Sequence, residues 1–162
     1  MPEGINKAVF IIAPHTSNWD FFYGRLYAWI NNFPIHLLIK KEAFFWPTGG
    51  LLRKTGGIPV DRSKKGNTVG HVAELFDQYE TLYLGITPEG SRQRRDEWKR
   101  GFYFIALQAK VPIVFSYIDF GKKEAGIGPV FHPTGDYQKD LIEIQAYYKG
   151  ITAKYPDQFN LG

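Results

Sequence analysis

Apolar runs alternate along the chain with amphipathic stretches. Residues 9–12 (Val9, Phe10, Ile11, Ile12) are unbroken hydrophobic sequence ending at Ala13-Pro14, the pattern of a strand buried on both faces. An aromatic-rich helix is predicted over 21–30 and a strand over 35–39. The apolar stretch 42–54 is cut into pieces by Pro47, Gly49 and Gly50. A short strand over 58–60 leads into a polar loop, 61–66. Residues 67–79 read as a helix, with Asn67 as N-cap and Val69, Val72, Leu75, Phe76 and Tyr79 on the helical period. A strand over 81–86, a charged loop over 87–100, a helix over 101–109 and a strand over 112–117 follow. The remainder reads as one more strand near 127–131, a helix over 136–148 and a loosely held tail after Gly150. This alternation predicts one α/β domain over 1–162, with a mostly parallel central sheet flanked by helices.

The polar residues collect where predicted strands end: 15–20 after the first, 61–65 after the third, 88–95 after the fourth. In open α/β sheets ligands bind at the carboxyl ends of the strands, so these three loops are the candidate site.

Composition narrows the chemistry. The 162 residues include no cysteine, which removes disulfides, a thiol nucleophile and thiolate metal ligands. The four histidines, His15, His36, His71 and His132, lie at no i, i+3 or i, i+4 spacing, so a helical zinc motif is absent. The net charge of +4 fits anionic lipid, phosphate-bearing substrates or nucleic acid and separates none of them. Nucleic acid is disfavoured by the lack of a recognisable helix-turn-helix or RNA-binding signature. Aromatic residues reach 17%, which reads either as a large aromatic core or as some rings placed at a lipid interface, where amphipathic rings are favoured. No signal peptide and no run of roughly 20 apolar residues is visible, so a soluble or peripheral protein is expected.

Four sequence blocks carry the functional reading. In His15-Thr16-Ser17-Asn18-Trp19-Asp20, five residues turn a helix by about 500°, so the two cannot share one helical face; they can meet if His15 ends a strand and Asp20 lies in the first helical turn, behind Ser17 or Asn18 as N-cap. Asp20 can then fix the imidazole tautomer and leave the second nitrogen to take a proton from a hydroxyl. Spacing alone does not distinguish this pair from a chance neighbourhood. Gly57 to Arg62 reads as a tight turn and short strand delivering Arg62 to the sheet edge, where it can grip phosphate or simply pair with Asp61. Pro88-Glu89-Gly90-Ser91-Arg92 is a loop that lets backbone approach an anion, or a solvated charge run continued by Arg94, Arg95, Lys99 and Arg100. Val111-Pro112-Ile113-Val114 carries no reactive group and reads as core strand.

Together, in this order and over about 100 of the 162 residues, the four blocks resemble the glycerophospholipid acyltransferases, and among them the 1-acyl-glycerol-3-phosphate acyltransferases. Their signature is His-x4-Asp, Gly-x-Ile-x-x-x-Arg, Pro-Glu-Gly-Thr-Arg and Val-Pro-Ile-Val; Ser91 stands here for the Thr. The resemblance implies that His15 deprotonates the acceptor hydroxyl and Asp20 holds His15. It further implies that Arg62 and Arg92 bind the acceptor phosphate, that Glu89, Gly90 and Ser91 shape the same substrate-binding loop, and that Pro112 supports the site. The implied reaction moves a fatty acyl group from acyl-CoA or acyl carrier protein, as co-substrate, to a lysophospholipid, giving phosphatidic acid. No further cofactor and no metal is implied. Without a Gly-x-Ser-x-Gly elbow no acyl-enzyme is expected; backbone amides after His15 are expected to serve as oxyanion donor. Other readings are transfer to a different lyso-lipid or to glycerol-3-phosphate, or a non-catalytic lipid- or phosphate-binding module. A cytoplasmic protein, peripheral at the inner membrane face, is expected. Candidate contacts are Phe44, Phe45 and Trp46 beside Lys40 and Lys41, with half of the aromatic first helix in the core.

Overall fold

The computed structural model describes residues 4–60 and 68–162. Six strands, β1 (Lys7–Ile12), β2 (Ile35–Lys40), β3 (Gly57–Val60), β4 (Leu82–Ile86), β5 (Ile113–Asp119) and β6 (Glu124–Phe131), form one sheet in the order β3-β2-β4-β1-β5-β6. Among the described residues four of the five pairings are parallel, and only β5 with β6 is antiparallel. The helices are α1 (Asn18–Ile30), α2 (Thr48–Lys54), α3 (Thr68–Gln78), α4 (Gly101–Ala109) and α5 (Tyr137–Tyr148), with 3₁₀ turns at Lys41–Ala43 and Pro156–Gln158.

The central strand β1 is apolar on both faces because both are covered. Val9 and Ile11 pack with Val72 and Phe76 of α3, Phe102 and Ala106 of α4, and Ile144 and Tyr148 of α5. Ala8 and Phe10 pack on the other face with Ala28 of α1, Phe33, Ile35 and Tyr83. Helices on both faces of a mostly parallel sheet are what the alternating pattern predicts.

Particular elements depart from the sequence reading. The first helix begins at Asn18 rather than 21, because Ser17 closes a capping box with Asp20, satisfying amides that would otherwise lack partners. The last strand begins at Glu124, earlier than 127, because it pairs with β5 through a tight reversal. The tail after Gly150 is not loose: Ala153 is buried, and the Trp98 indole Nε1–H donates to the Asn160 carbonyl at 2.9 Å. The predicted loop 61–66, the N-cap Asn67 and Arg62 lie outside the described residues.

The strand order makes β1 and β4 neighbours, with Ile11 opposite Ile86. Their carboxyl ends therefore deliver residues 13–20 and 87–95 to the same place. β3 lies at the sheet edge, separated from β1 by β2 and β4.

Candidate active site

His15 leaves β1 three residues after the strand ends, and the next turn is organised around Asp20. The Asp20 Oδ2 accepts the backbone N–H groups of Thr16 and Ser17, both at 2.7 Å. The Ser17 hydroxyl donates to Oδ1 at 3.0 Å and itself accepts the Trp19 N–H at 3.1 Å. The His15 Nδ1 stands 3.5 Å from Asp20 Oδ2, the imidazole 20% exposed and the carboxyl 1% exposed. That separation is longer than a good hydrogen bond, a common condition of catalytic pairs without substrate. Burial pushes the Asp20 carboxyl up, but the facing His15 imidazole and the hydrogen bonds from Ser17 and Thr16 outweigh it and hold the pKa below the usual value. Asp20 is thus an anion fixed by its own helix start and aimed at one imidazole nitrogen.

Glu89 lies beneath this turn rather than in a cavity wall. It is 4% exposed, and its Oε1 accepts the His15 backbone N–H at 2.9 Å. Its Oε2 is buried with no hydrogen-bond partner among the described residues. Burial raises the carboxyl to about 7, although hydrogen bonds from its own backbone and from His15 oppose this. The loop after β4 is in this way tied to the residue that carries the imidazole.

Gly90 adopts φ +64°, a conformation that a side chain makes costly, and its N–H donates to the Thr87 carbonyl at 3.1 Å. The Lys99 ammonium lies 2.6 Å from where a Cβ on residue 90 would stand. The Ser91 hydroxyl donates to the Gln93 carbonyl at 3.0 Å and accepts from Arg95 Nε at 3.2 Å. Arg92 is exposed.

Two cavities meet at His15. One, of about 410 Å³, is polar and is lined by His15, Thr87, Gly90, Ser91, Arg92 and Gln93. The other, of about 580 Å³, has His15, Asp20, Thr87, Gly90 and Lys99 at its polar end. From there it runs between α1 and the sheet along Ile12, Phe21, Gly24, Ala28, Ile35 and Ile118. Val60 and Thr68, which flank the segment containing Arg62, also line it. Arg25 on its wall donates from Nη1 to the Ile35 carbonyl at 3.0 Å and from Nη2 to the Thr55 carbonyl, joining α1 to the sheet.

The structure brings His15, Asp20, Glu89, Gly90, Ser91 and Arg92 together. Of the amides at the start of α1, those of residues 16, 17 and 19 already donate to Asp20 and Ser17, as that of His15 does to Glu89. In the sequence Lys99 reads as an extension of a charge run, whereas the fold places it in the lining of the larger cavity. Arg25 carried no motif signal at all. Among the described residues no group of three or more His, Asp or Glu side chains gathers as a metal-holding set.

A sequence model of the family described as Acyltransferase matches residues 2–118, which contain every one of these site residues. The chain belongs to the acyltransferase family. This acyltransferase is 28% identical over 174 aligned positions to a 1-acyl-sn-glycerol-3-phosphate acyltransferase of Cocos nucifera, covering 96% of this chain and 55% of that protein. It is 31% identical over 83 residues to the Homo sapiens 1-acyl-sn-glycerol-3-phosphate acyltransferase beta, covering 48% of this chain and 30% of the relative. It is 30% identical over 97 residues to the Mus musculus alpha form, covering 54% and 34% respectively. The chain thus spans between 30% and 55% of the length of these curated relatives. No solved structure gives a significant match.

Proposed function

We propose that this acyltransferase transfers a fatty acyl group from acyl-CoA or acyl carrier protein to the free hydroxyl of 1-acyl-glycerol-3-phosphate, forming phosphatidic acid. The observation that carries the reading is the position of His15, at the junction of an apolar cavity of about 580 Å³ and a polar one of about 410 Å³ that contains Arg92. The apolar cavity suits an acyl chain, and the polar one suits a phosphate. The thioester carbonyl and the acceptor hydroxyl then meet beside the imidazole.

In this mechanism Asp20 keeps a proton on His15 Nδ1, and Nε2 removes the acceptor's hydroxyl proton as oxygen attacks the thioester carbonyl. The new C–O bond forms, the C–S bond breaks, and the imidazolium returns its proton to the departing thiolate. Glu89 holds the His15 backbone in place. Arg92, with Arg62 as its expected companion, binds the acceptor phosphate. Holding the two substrates in contact supplies much of the acceleration, since the thioester is already activated.

The supporting experiment compares acceptors. Transfer to 1-acyl-glycerol-3-phosphate is expected, with transfer to the uncharged 1-acylglycerol at least about tenfold slower. Arg92→Ala is expected to raise the KM for the phosphorylated acceptor by roughly 10- to 100-fold, the range for losing a charge-assisted hydrogen bond. Equal rates with both acceptors contradict the phosphate assignment. A preference for free glycerol-3-phosphate moves the reading to that acceptor.

Membrane association belongs to the same proposal. No helix among the described residues is long and apolar enough to cross a membrane. The exposed Phe21, Phe22, Trp29 and Ile30 of α1, with Phe45, Trp46 and Leu51, provide an apolar surface for peripheral contact. Lys40, Lys41, Arg53 and Lys54 add positive charge nearby in sequence.

A further inference from the structure

The segment from Thr152 to Asn160 lies beyond residues 2–118, which the family model matches, yet it crosses the carboxyl ends of β5, β1 and β4 in turn. After β5, the Phe120 N–H donates to the Thr152 carbonyl at 2.9 Å. After β1, the Tyr155 N–H donates to the Thr16 hydroxyl at 3.2 Å, and the Lys154 ammonium stands 4.8 Å from the Trp19 ring centre. After β4, the Asn160 amide donates to the Arg95 carbonyl at 3.1 Å. The orientation of the Gln158 amide that satisfies both its atoms turns its nitrogen between the two loops, donating to the carbonyls of Arg92 at 2.7 Å and Thr16 at 3.1 Å.

Those two carbonyls belong to the residue that follows His15 and to Arg92 itself. We infer that this carboxyl-terminal segment is a strap that sets the spacing between the base-bearing loop and the anion-binding loop, with Gln158 as its positioning residue. A primary amide is suited to the task, because one NH₂ group has two protons and can hold two carbonyls at once. Gln158 is exposed and contributes little to the core, so its removal loosens a geometry rather than the fold. Catalysis is sensitive to such looseness, since displacements on the order of 1 Å at a site cost about 100-fold in rate.

The inference rests on the proposed acyl transfer for its kinetic consequence, but its structural consequence can be read without activity. Gln158→Met keeps the side chain's length and removes both donors; Gln158→Ala removes the reach as well. In both variants, hydrogen–deuterium exchange is expected to show faster exchange in peptides covering residues 14–20 and 88–95, with β1 and β4 unchanged. The KM for the phosphate-bearing acceptor is expected to rise on the order of tenfold, as two hydrogen bonds are lost, while the KM for the acyl thioester and the melting temperature stay near wild type. Unchanged exchange in both loops overturns the strap, whether or not transfer is detected. Faster exchange together with equal effects on both substrates' KM overturns the assignment to acceptor positioning. If the wild-type chain transfers to no acceptor, the functional proposal fails and the exchange result still decides the strap.

Discussion

Glu89 shows how the site uses a buried carboxyl for position rather than charge. One oxygen holds the His15 N–H, the other has no described partner, and burial raises the group to about 7 from an ordinary 4.5. Folding therefore binds a proton between those two values. Below pH 4.5 the carboxyl is neutral in both states and costs nothing; stability falls as pH rises through the window, and the penalty is complete above pH 7. The gap corresponds to about 3 kcal/mol. Glu89→Gln retains a carbonyl to accept from His15 and carries no charge at any pH. Its effect on stability is expected to be more favourable at pH 8 than at pH 4.5 by about 3 kcal/mol, measured by denaturant unfolding at both values. An effect equal at the two pH values contradicts the assignment. Asp20 titrates in the opposite sense: its depressed pKa makes its contribution present above 3.8 and lost as pH falls through the lower folded value.

Helix α1 combines two duties. Its first turn presents Asp20 to His15, and the rest walls the apolar cavity with Phe21, Gly24 and Ala28. A Cβ added at Gly24 meets only the Ile118 Cδ1, at 3.9 Å, so a larger residue there grows into the cavity without touching backbone. It also replaces a poor helix former by a good one, worth roughly 1 kcal/mol. Gly24→Leu is therefore expected to remain folded while kcat/KM for long-chain thioesters falls about tenfold or more, with short-chain thioesters nearly unaffected. A uniform loss across chain lengths contradicts the acyl assignment of this cavity. The helix is legible in sequence from its aromatic run, but the expectation that half of its rings lie in the core does not hold. Only Asp20 and Ala28 of α1 are buried, because the aromatic spacing places rings around most of the circumference and one narrow stripe faces the sheet. Sequence also grouped Phe44 with Phe45 and Trp46. Phe44 is half-buried, with the Arg53 guanidinium 5.3 Å from its ring centre, while Trp46 is 91% exposed.

Over the whole molecule, the apolar surface of α1 and the exposed Phe45 and Trp46 are expected to seat the domain on anionic lipid. Phe45→Ser with Trp46→Ser is expected to weaken binding to anionic vesicles by about tenfold in sedimentation, in line with the loss of large apolar contacts; unchanged binding contradicts that surface. The α/β class and the loops that form the site were readable from the alternation of runs, because a parallel sheet covered on both faces needs continuous apolar strands. The meeting of the His15 and Glu89 loops depends on β1 lying beside β4, a pairing set by tertiary packing and absent from local pattern. Arg25 and the carboxyl-terminal strap escape for the same reason, since each acts across a long sequence separation; Lys99 escapes because only the folded loop turns it back onto Gly90. The most direct test of the account is transfer of a labelled acyl group from a thioester to 1-acyl-glycerol-3-phosphate in detergent or vesicles, comparing the wild type with His15→Ala. Labelled phosphatidic acid from the wild type and a loss on the order of 100-fold or more in the variant are expected. Equal turnover by the two proteins contradicts His15 as the base, and no product from the wild type with any thioester contradicts acyl transfer itself.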